Sequence, residues 1–318
     1  MDYGATFKRI REDKGLKIVD LEQENISRSL IGKFEKGQSR LSADRLDRLL
    51  ADMGVSHDEF LFLGGEPGDN YMYTLLHEMG VQSGKIRERQ QLDRMIARAT
   101  RDLTSGRSGL SARFMRDFGL MIKIGLTAED DGVKKEMYEY PGVQQHVKPA
   151  VQFLKKAETW GRLELDLFTL FYIGMQPDDL LVLGRLAIQR ARVYTALRSE
   201  KKRLVDIIHT AFNGLMYVDQ AGAAEMLALE AQVIQAADEF MIDWTSERLR
   251  LRLDEGLLMM LQGQVTAGYE QIMSVVSVYE MIGMQEMANF TRQIIAQTKS
   301  AIESNQRDKI PHIYSMLI

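Results

Sequence analysis

Hydrophobic positions recur along this chain at the spacing of α-helices, and they group into two zones. In residues 1–63 the pattern breaks into short segments, most of which end at a single glycine. From residue 71 onward it fills longer segments joined by short turns. No stretch shows the sustained alternation of a β-strand, so we expect no sheet. The pattern predicts an all-α protein with a small N-terminal domain and a larger C-terminal one.

The first zone predicts five short helices. The first helix, at residues 4–14, directs its basic side chains outward, Arg11 among them. A second short helix is expected near residues 18–24. Ser42 and Ser56 are of the residue type that caps helix N-termini, so each is expected to begin a later helix.

The most informative segment of this zone runs from Ser27 to Gly37. Ser27 is expected to cap a helix, and Gly37 to adopt the left-handed conformation that ends it. A glycine inside a helix, such as Gly32, costs about 1 kcal/mol relative to alanine. Its presence is explained either by a close approach to another helix or to DNA, or by simple tolerance. The apolar joint to the preceding helix is expected to comprise Val19, Leu21, Ile26, Ile31 and Phe34. Two helices joined in this way predict a helix-turn-helix.

Charge separates steeply within this pair of helices. Residues 18–26 carry three acidic side chains and no basic one, whereas residues 27–40 carry four basic side chains and Glu35 as their single acid. The second helix is therefore suited to face an anion such as the DNA backbone. We expect Glu35 to orient polar groups within the domain.

The candidate DNA contacts lie on this helix and at its flanks, and they are Lys17, Arg28, Ser29, Lys33, Lys36 and Arg40. Arg28 can make a bidentate contact with guanine, which is worth about 1–3 kcal/mol of discrimination. Ser29 and Lys33 can read a base edge or a phosphate, and the other three basic residues are expected to hold phosphates. The alternative is a small helical cap without a ligand.

The clearest domain boundary in the chain is the segment 64–70, which holds three glycines and a proline. The sequence therefore predicts a helix-turn-helix domain in 1–63, a linker in 64–70, a helical domain in 71–303 and an apolar tail in 304–318. The tail is expected to dock on the body of the protein or on a partner.

The larger zone predicts helices near residues 71–79, 84–103, 109–126, 130–139, 149–157, 162–173, 178–197, 200–217, 221–241, 245–262, 265–282 and 284–303. Pro149 is placed at a helix start, because a proline inside a helix removes a hydrogen bond. The later turns recur about every 40–45 residues, the range of helical-hairpin repeats that stack into a TPR-like solenoid. A plain helical bundle remains the alternative.

Composition limits the possible chemistry. The 318-residue chain has a net charge of −4, so a nucleic-acid site must be a local patch. It has no cysteine, which excludes disulfides, zinc–thiolate sites and cysteine nucleophiles. The five histidines form no metal-binding pair, and phosphate-binding loops and nucleophile elbows are absent. We expect no enzyme, cofactor or metal, and without an apolar membrane segment or signal sequence we expect a cytoplasmic protein.

The run from Leu21 to Ser39, which ends in FEKGQS, resembles the helix-turn-helix of the Rgg/GadR/MutR transcriptional regulators within the broader Xre class. The opening Tyr3-Gly4…Phe7…Arg11 is similar to that family as well. The C-terminal part resembles it in length, helical content and the run WGRLEL at 160–165. The resemblance implies a five-helix Xre-type domain followed by a helical-repeat domain. It also implies a homodimer that receives a short signalling peptide, as in quorum sensing of Gram-positive bacteria.

Four residues are candidate peptide contacts: Arg185, Arg192, Asn213 and Tyr217. The asparagine can donate to and accept from a peptide bond at once, and Tyr217 lies in the apolar run that follows it. The two arginines, seven residues apart, share a helix face and can each bind a carboxylate. Nineteen methionines offer an adaptable apolar lining. A structural or solvated role remains open for each of these residues.

Taken together, these features predict a cytoplasmic, homodimeric regulator that binds double-stranded DNA and is controlled by a short hydrophobic peptide. Two alternatives remain. One is a helical-repeat scaffold that holds a protein partner, and the other is a regulator that senses a non-peptide small molecule.

Overall fold

A computed structural model confirms the all-α prediction. It describes residues 2–65, 72, 75–76, 89–106, 109–130, 135–191, 198–236 and 243–305. No β-strand occurs among these residues, in which Gln23 and Ile26 form an isolated bridge. The chain separates into two compact units, Met1–Glu78 and Met79–Ile318. No helix in the described part is long and apolar enough to cross a membrane.

Residues 2–65 of the first unit fold into four α-helices and one 3-10 helix. The α-helices are α1 (Tyr3–Asp13), α2 (Arg28–Glu35), α3 (Ala43–Asp52) and α4 (His57–Leu63), and the 3-10 helix spans Ile18–Leu21. Of the predicted linker, residues 66–70 lie outside the described residues, so the domain boundaries drawn from the sequence stay predictions.

The short helix expected near residues 18–24 is present as a 3-10 helix, but it ends at Leu21, so the predicted end at 24 is wrong. Asp20 closes the turn by accepting a hydrogen bond from the backbone N–H of Lys17 at 2.7 Å. Gln23 and Ile26 then exchange two backbone hydrogen bonds, which ends the helical path. Local side-chain bonds of this kind compete with regular helix.

The predicted boundaries of α2 are confirmed. The Ser27 hydroxyl accepts a hydrogen bond from the backbone N–H of Leu30 at 3.3 Å, and Gly37 has a φ of +67°. At α3 the outcome is different, because Ser42 holds the N-cap position without bonding to the helix backbone. Its hydroxyl bonds to the Asp44 carboxylate instead.

The core of the first unit draws on all four of its α-helices and on the 3-10 helix. Of the predicted apolar joint, four residues are buried: Leu21, Ile26, Ile31 and Phe34. The fifth prediction is wrong, because Val19 is 43% exposed. Ile18 packs against the core in its place. A 3-10 helix has three residues per turn rather than 3.6, which changes the residue that faces inward.

The described part of the second unit contains helices α5 (Arg89–Thr104), α6 (Gly109–Asp130), α7 (Val143–Lys156), α8 (Arg162–Phe171), α9 (Pro177–Arg190), α10 (Arg198–Leu215), α11 (Gln220–Gln235), α12 (Thr245–Leu261), α13 (Val265–Met281) and α14 (Gln285–Glu303). Most successive helices pack against each other, and some also contact the next but one. This arrangement is that of stacked helical hairpins, as the repeat pattern predicts.

A close helix contact in the described part of this unit joins α12 to α13. A Cβ atom on Gly268 would lie 2.3 Å from the carbonyl oxygen of Gly256, and one on Gly256 would lie 2.8 Å from that of Gly268. Both distances are too short for any side chain, so this hairpin depends on its two glycines.

Two predictions for this unit are wrong. Where a helix at 130–139 is expected, the described residues hold the end of α6 and a 3-10 helix at Met137–Glu139. Helix α7 starts at Val143, so Pro149 lies inside the helix rather than at its start. The preceding Gly142, with a φ of +88°, redirects the chain and starts the helix early. Apolar burial on both sides of the proline offsets its missing N–H.

Hydrogen bonds in and around the WGRLEL run connect helices α7, α8 and α9. Trp160 is fully buried, and its indole N–H donates to the carbonyl of Leu154 at 3.2 Å. The guanidinium of Arg190, at the end of α9, donates to three carbonyl groups at and just beyond the end of α7, at 2.7–3.1 Å. Gly161 begins α8, and its N–H donates to Glu164 at 2.9 Å. This segment therefore satisfies helix ends that would otherwise lack partners.

Candidate DNA-binding site and candidate ligand site

Helix α2 carries half of the predicted DNA contacts. Arg28 and Ser29 are its first two residues, Lys33 lies in its last turn, and Lys36 follows as the C-cap. These residues are exposed, as are the two remaining candidates, Lys17 and Arg40. An exposed basic helix start is the arrangement in which a recognition helix meets base edges. The individual roles stay predictions.

Helix α1 fixes the far end of α2. A Cβ atom on Gly4 would lie 2.1 Å from the carbonyl oxygen of Phe34, so the two backbones approach more closely than any side chain allows. The ring of Phe7 packs edge-on against that of Phe34, with 5.6 Å between the centroids. Two residues of the Tyr3-Gly4…Phe7…Arg11 opening thus act by placing α2.

A buried ion pair completes this contact. Arg11 donates from Nε and Nη2 to the two carboxylate oxygens of Glu35, at 2.6 and 3.0 Å, and its Nη1 donates to the carbonyl of Leu16 at 2.6 Å. The Arg11 and Glu35 side chains are 8% and 5% exposed. Hydrogen bonding to Glu35 raises the pKa of Arg11 above its ordinary value. The outward placement predicted for Arg11 is wrong, whereas the orienting role predicted for Glu35 is confirmed.

Arg28 also has a carboxylate partner, although an exposed one. Its Nε donates to Glu22 at 2.7 Å, and the two side chains are 60% and 39% exposed. Exposed pairs of this kind contribute about 0–1 kcal/mol. Arg28 can therefore exchange Glu22 for a DNA group at little cost.

Gly32 has room for a side chain within its own unit. A Cβ atom there would meet only the Cδ1 atom of Ile18, at 3.9 Å, which is an ordinary contact. A close approach to another helix therefore does not explain this glycine.

Among the candidate peptide contacts, Arg185 is already paired within the chain. It donates from Nε and Nη2 to the two oxygens of Glu225, both at 2.5 Å. This pairing raises the pKa of Arg185 and lowers the pKa of Glu225. Arg192 lies outside the described residues. Binding of a peptide carboxylate by Arg185 would therefore require displacement of Glu225.

Asn213 and Tyr217 lie largely inside the helical unit. Asn213 is 7% exposed, and its Nδ2 lies 2.9 Å from Nε2 of His209. Its Oδ1 is buried without a hydrogen-bond partner among the described residues. Burial raises the pKa of Tyr217. The structure places these two residues on or just after α10, and a peptide role for them stays a prediction.

Next to Asn213, three helices bring titratable side chains together in what we call the three-helix cluster: His209 of α10, Glu230 of α11 and Asp254 of α12. Each offers one ligand atom such that all three atoms lie within 4.8 Å of one another. Nδ1 of His209 lies 2.8 Å from Oδ2 of Asp254, although without the angles of a hydrogen bond. Asp254 is 6% exposed and Glu230 is completely buried.

Arg250 borders this cluster and links it to the surface. Its Nη2 donates to Oε1 of Glu230 at 3.4 Å, and its Nη1 donates to Asp206 at 2.8 Å. Burial raises the pKa of Glu230 to about 7, although His209 and Arg250 act in the opposite direction. Sequence reasoning missed this cluster. The sequence feature that could have indicated the cluster is Glu230, an acidic residue within the apolar stretch of α11.

A capped helix with an exposed basic start, seated on its neighbours by a buried joint, defines a helix-turn-helix DNA-binding protein. A helix-turn-helix family model matches residues 7–60. The model for the C-terminal domain of the HTH-type transcriptional regulator Rgg matches residues 135–293. The chain therefore belongs to the Rgg family of transcriptional regulators.

Solved structures share this fold over nearly the whole chain. One, of a protein described as a transcriptional regulator from Listeria monocytogenes EGD-e, has a TM-score of 0.75 at 16% identity and covers 96% of this chain and 99% of that one. The SHP pheromone receptor Rgg2 of Streptococcus dysgalactiae has a TM-score of 0.65 at 18% identity, covering 91% and 97%. The PrgX/cCF10 complex has a TM-score of 0.60 at 11% identity, covering 92% and 98%.

Proposed function

We propose that this regulator binds operator DNA through α2 as a cytoplasmic homodimer, and that a short hydrophobic peptide bound by the C-terminal domain controls that binding. The observation that carries the DNA part is the exposed start of α2, which the contacts of α1 hold in place. The peptide part is supported by the fold, since Rgg2 is described as a pheromone receptor and PrgX forms a complex with cCF10. A stack of helical hairpins also offers the concave surface that suits an extended peptide.

The proposed mechanism is a population shift. Helix-turn-helix dimers bind two half-sites about one helical turn of DNA apart, so their affinity depends on how the two α2 helices are spaced. A peptide that binds one arrangement of the dimer more tightly shifts the protein toward that arrangement. DNA affinity then changes although no peptide touches α2.

The DNA contacts are tested by fluorescence anisotropy with DNA from the promoter region of the gene itself. Affinity should fall steeply between 50 and 200 mM salt, because phosphate contacts release counterions. Arg28→Ala should abolish the preference for this DNA over a scrambled duplex, whereas Lys33→Ala or Lys36→Ala should weaken both. Lys8→Ala, an exposed change on α1, is the control. Equal preference in Arg28→Ala and wild type would contradict the proposed role of Arg28.

The peptide contact of Arg185 is tested by calorimetry with short hydrophobic peptides, each as the free acid and as the amide. If Arg185 binds the terminal carboxylate, Arg185→Ala should weaken binding of the free acid and leave that of the amide unchanged. Glu225→Gln should strengthen binding of the free acid, because it removes the internal competitor of Arg185. Identical affinities of all variants for both forms would exclude this role.

The same titrations separate the two alternatives. A protein that binds promoter DNA but no peptide of the panel fits a sensor of another small molecule. A protein that binds neither fits a helical scaffold for a protein partner.

A further inference from the structure

We propose that the three-helix cluster is a binding site for a divalent transition-metal cation such as Zn²⁺ or Mn²⁺, inside the C-terminal unit. The donors are one imidazole and two carboxylates, from His209, Glu230 and Asp254. Imidazole together with carboxylate is a donor set typical of these cations. None of these three donors is among the proposed peptide and DNA contacts, although the proposed peptide contact Asn213 lies next to His209.

The distances fit an ion with a small adjustment. The three candidate ligand atoms lie within 4.8 Å of one another. An ion about 2.1 Å from each of its ligands holds neighbouring tetrahedral ligands about 3.4 Å apart. Nδ1 of His209 and Oδ2 of Asp254 lie only 2.8 Å apart, so these two atoms must move slightly apart to hold an ion. Water can complete the coordination shell.

Unsatisfied buried oxygens are the second observation. Among the described residues, Oε2 of Glu230 and Oδ2 of Asp254 are both buried without a hydrogen-bond partner, as is Nδ1 of His209. These are the atoms that a cation would bind. Buried polar atoms in folded proteins nearly always have a hydrogen-bond partner. Oε2 of Glu230 has none among the described residues, and the 2.8 Å contact between His209 and Asp254 lacks the angles of a hydrogen bond. A single cation satisfies all three.

Charge leads to the same conclusion. The carboxylates here are Glu230, Asp254 and the more exposed Asp206, and the facing cation is Arg250, which bonds to Glu230 and Asp206. With all three carboxylates ionised, as metal binding requires of its ligands, and His209 neutral, the group carries a net charge of −2. A divalent cation neutralises this charge. Arg250 binds Oε1 of Glu230 and leaves Oε2 to the ion, so the two cations bind opposite sides of one carboxylate.

Asn213 provides the support that a metal-bound histidine needs. A histidine that binds a cation through Nδ1 carries its proton on Nε2, and it commonly donates this proton to a carbonyl or carboxylate. Nε2 of His209 lies 2.9 Å from the Asn213 amide. Turning this amide by 180°, an orientation that is set by the hydrogen-bond network, makes Oδ1 the acceptor. The same turn gives Oδ1 the partner that it lacks.

The test is calorimetric titration of the full-length, chelator-treated protein with Zn²⁺ and with Mn²⁺, in the absence of DNA and peptide. We expect one ion to bind per chain. Glu230→Gln and Asp254→Asn should each weaken the affinity at least tenfold. Glu286→Gln, the same substitution at an exposed position of α14, is the matched control and should bind as wild type does.

A second measurement guards against variants that misfold. Wild type should show a rise in melting temperature with added Zn²⁺, because an ion that binds only the folded state stabilises it by mass action. Far-UV circular dichroism checks that each variant is folded, and His209→Gln serves as a third variant. No ion bound to wild type, or equal affinities in wild type and all folded cluster variants, would overturn the proposal.

Discussion

The ion pair between Arg11 and Glu35 allows a sharp test of how α2 is held. Glu35→Gln removes the buried counter-charge of the Arg11 guanidinium and leaves only the exposed Glu12 carboxylate near it. Breaking a buried pair from one side costs about 3–5 kcal/mol. The glutamine still offers one oxygen, and Arg11 keeps the Leu16 carbonyl at 2.6 Å, so we expect about 3 kcal/mol, the lower end of this range.

The assay is hydrogen exchange measured by mass spectrometry on peptides from α1 and α2. This method reports the local opening of the first unit and does not require the whole chain to unfold. A loss of about 3 kcal/mol corresponds to exchange that is about 150-fold faster. The matched control is Glu12→Gln, because Glu12 also contacts Arg11, at 3.3 Å, but is 55% exposed. Its effect should stay within about 0.5 kcal/mol.

A double variant separates charge burial from general damage. Arg11→Met combined with Glu35→Leu removes both charges, and replacing a buried pair by apolar groups is often neutral. We therefore expect the double variant to exchange more slowly than Glu35→Gln alone. Exchange within threefold of wild type in Glu35→Gln would refute the reasoning, because the pair would then contribute little to the placement of α2.

Three further predictions concern single contacts. Gly4→Ala should destabilise the first unit by at least 1–2 kcal/mol, because the new methyl group would clash with a backbone oxygen. Gly32→Ala should be neutral or stabilising by up to about 1 kcal/mol. Hydrogen-exchange rates in α1 and α2 compare the two variants. Glu22→Gln should increase DNA affinity at low salt, because it frees Arg28 and removes a negative charge beside it. Fluorescence anisotropy measures this affinity, and a value equal to that of wild type would contradict the prediction. Arg190→Met should cost about 1.5–3 kcal/mol, read as a lower urea midpoint of the C-terminal unit, because three carbonyl groups lose a charged donor.

Features that depend on a few neighbouring residues are the ones that the sequence predicted correctly. The ends of α2 follow from Ser27 and Gly37, each of which acts on a backbone group within three residues. The stacked hairpins follow from helical spacing and short turns, which are local as well. Since local signals decide where helices begin and end, a basic, capped recognition helix could be identified without the structure.

Features that depend on distant partners escaped prediction. Arg11 looked like a surface residue because its carboxylate partner lies 24 positions away. Pro149 looked like a helix start because the burial of its neighbours Val147, Ala150 and Val151 against other helices is not visible in the local pattern. The three-helix cluster needed α10, α11 and α12 in place before His209, Glu230 and Asp254 could meet.

Two arginines of the first unit, Arg11 and Arg28, form ion pairs of different strength, which suits the different roles that we propose for them. The Arg11 pair is buried, so it is expensive to break and keeps α2 in one orientation. The Arg28 pair is exposed, so it opens readily and leaves the guanidinium available to DNA. If the Arg28 pair were buried and the Arg11 pair exposed, Arg28 would be held by the protein and α2 would be free to shift. The proposed sequence-specific binding needs a fixed helix that carries an exchangeable contact, and the two ion pairs are consistent with that requirement.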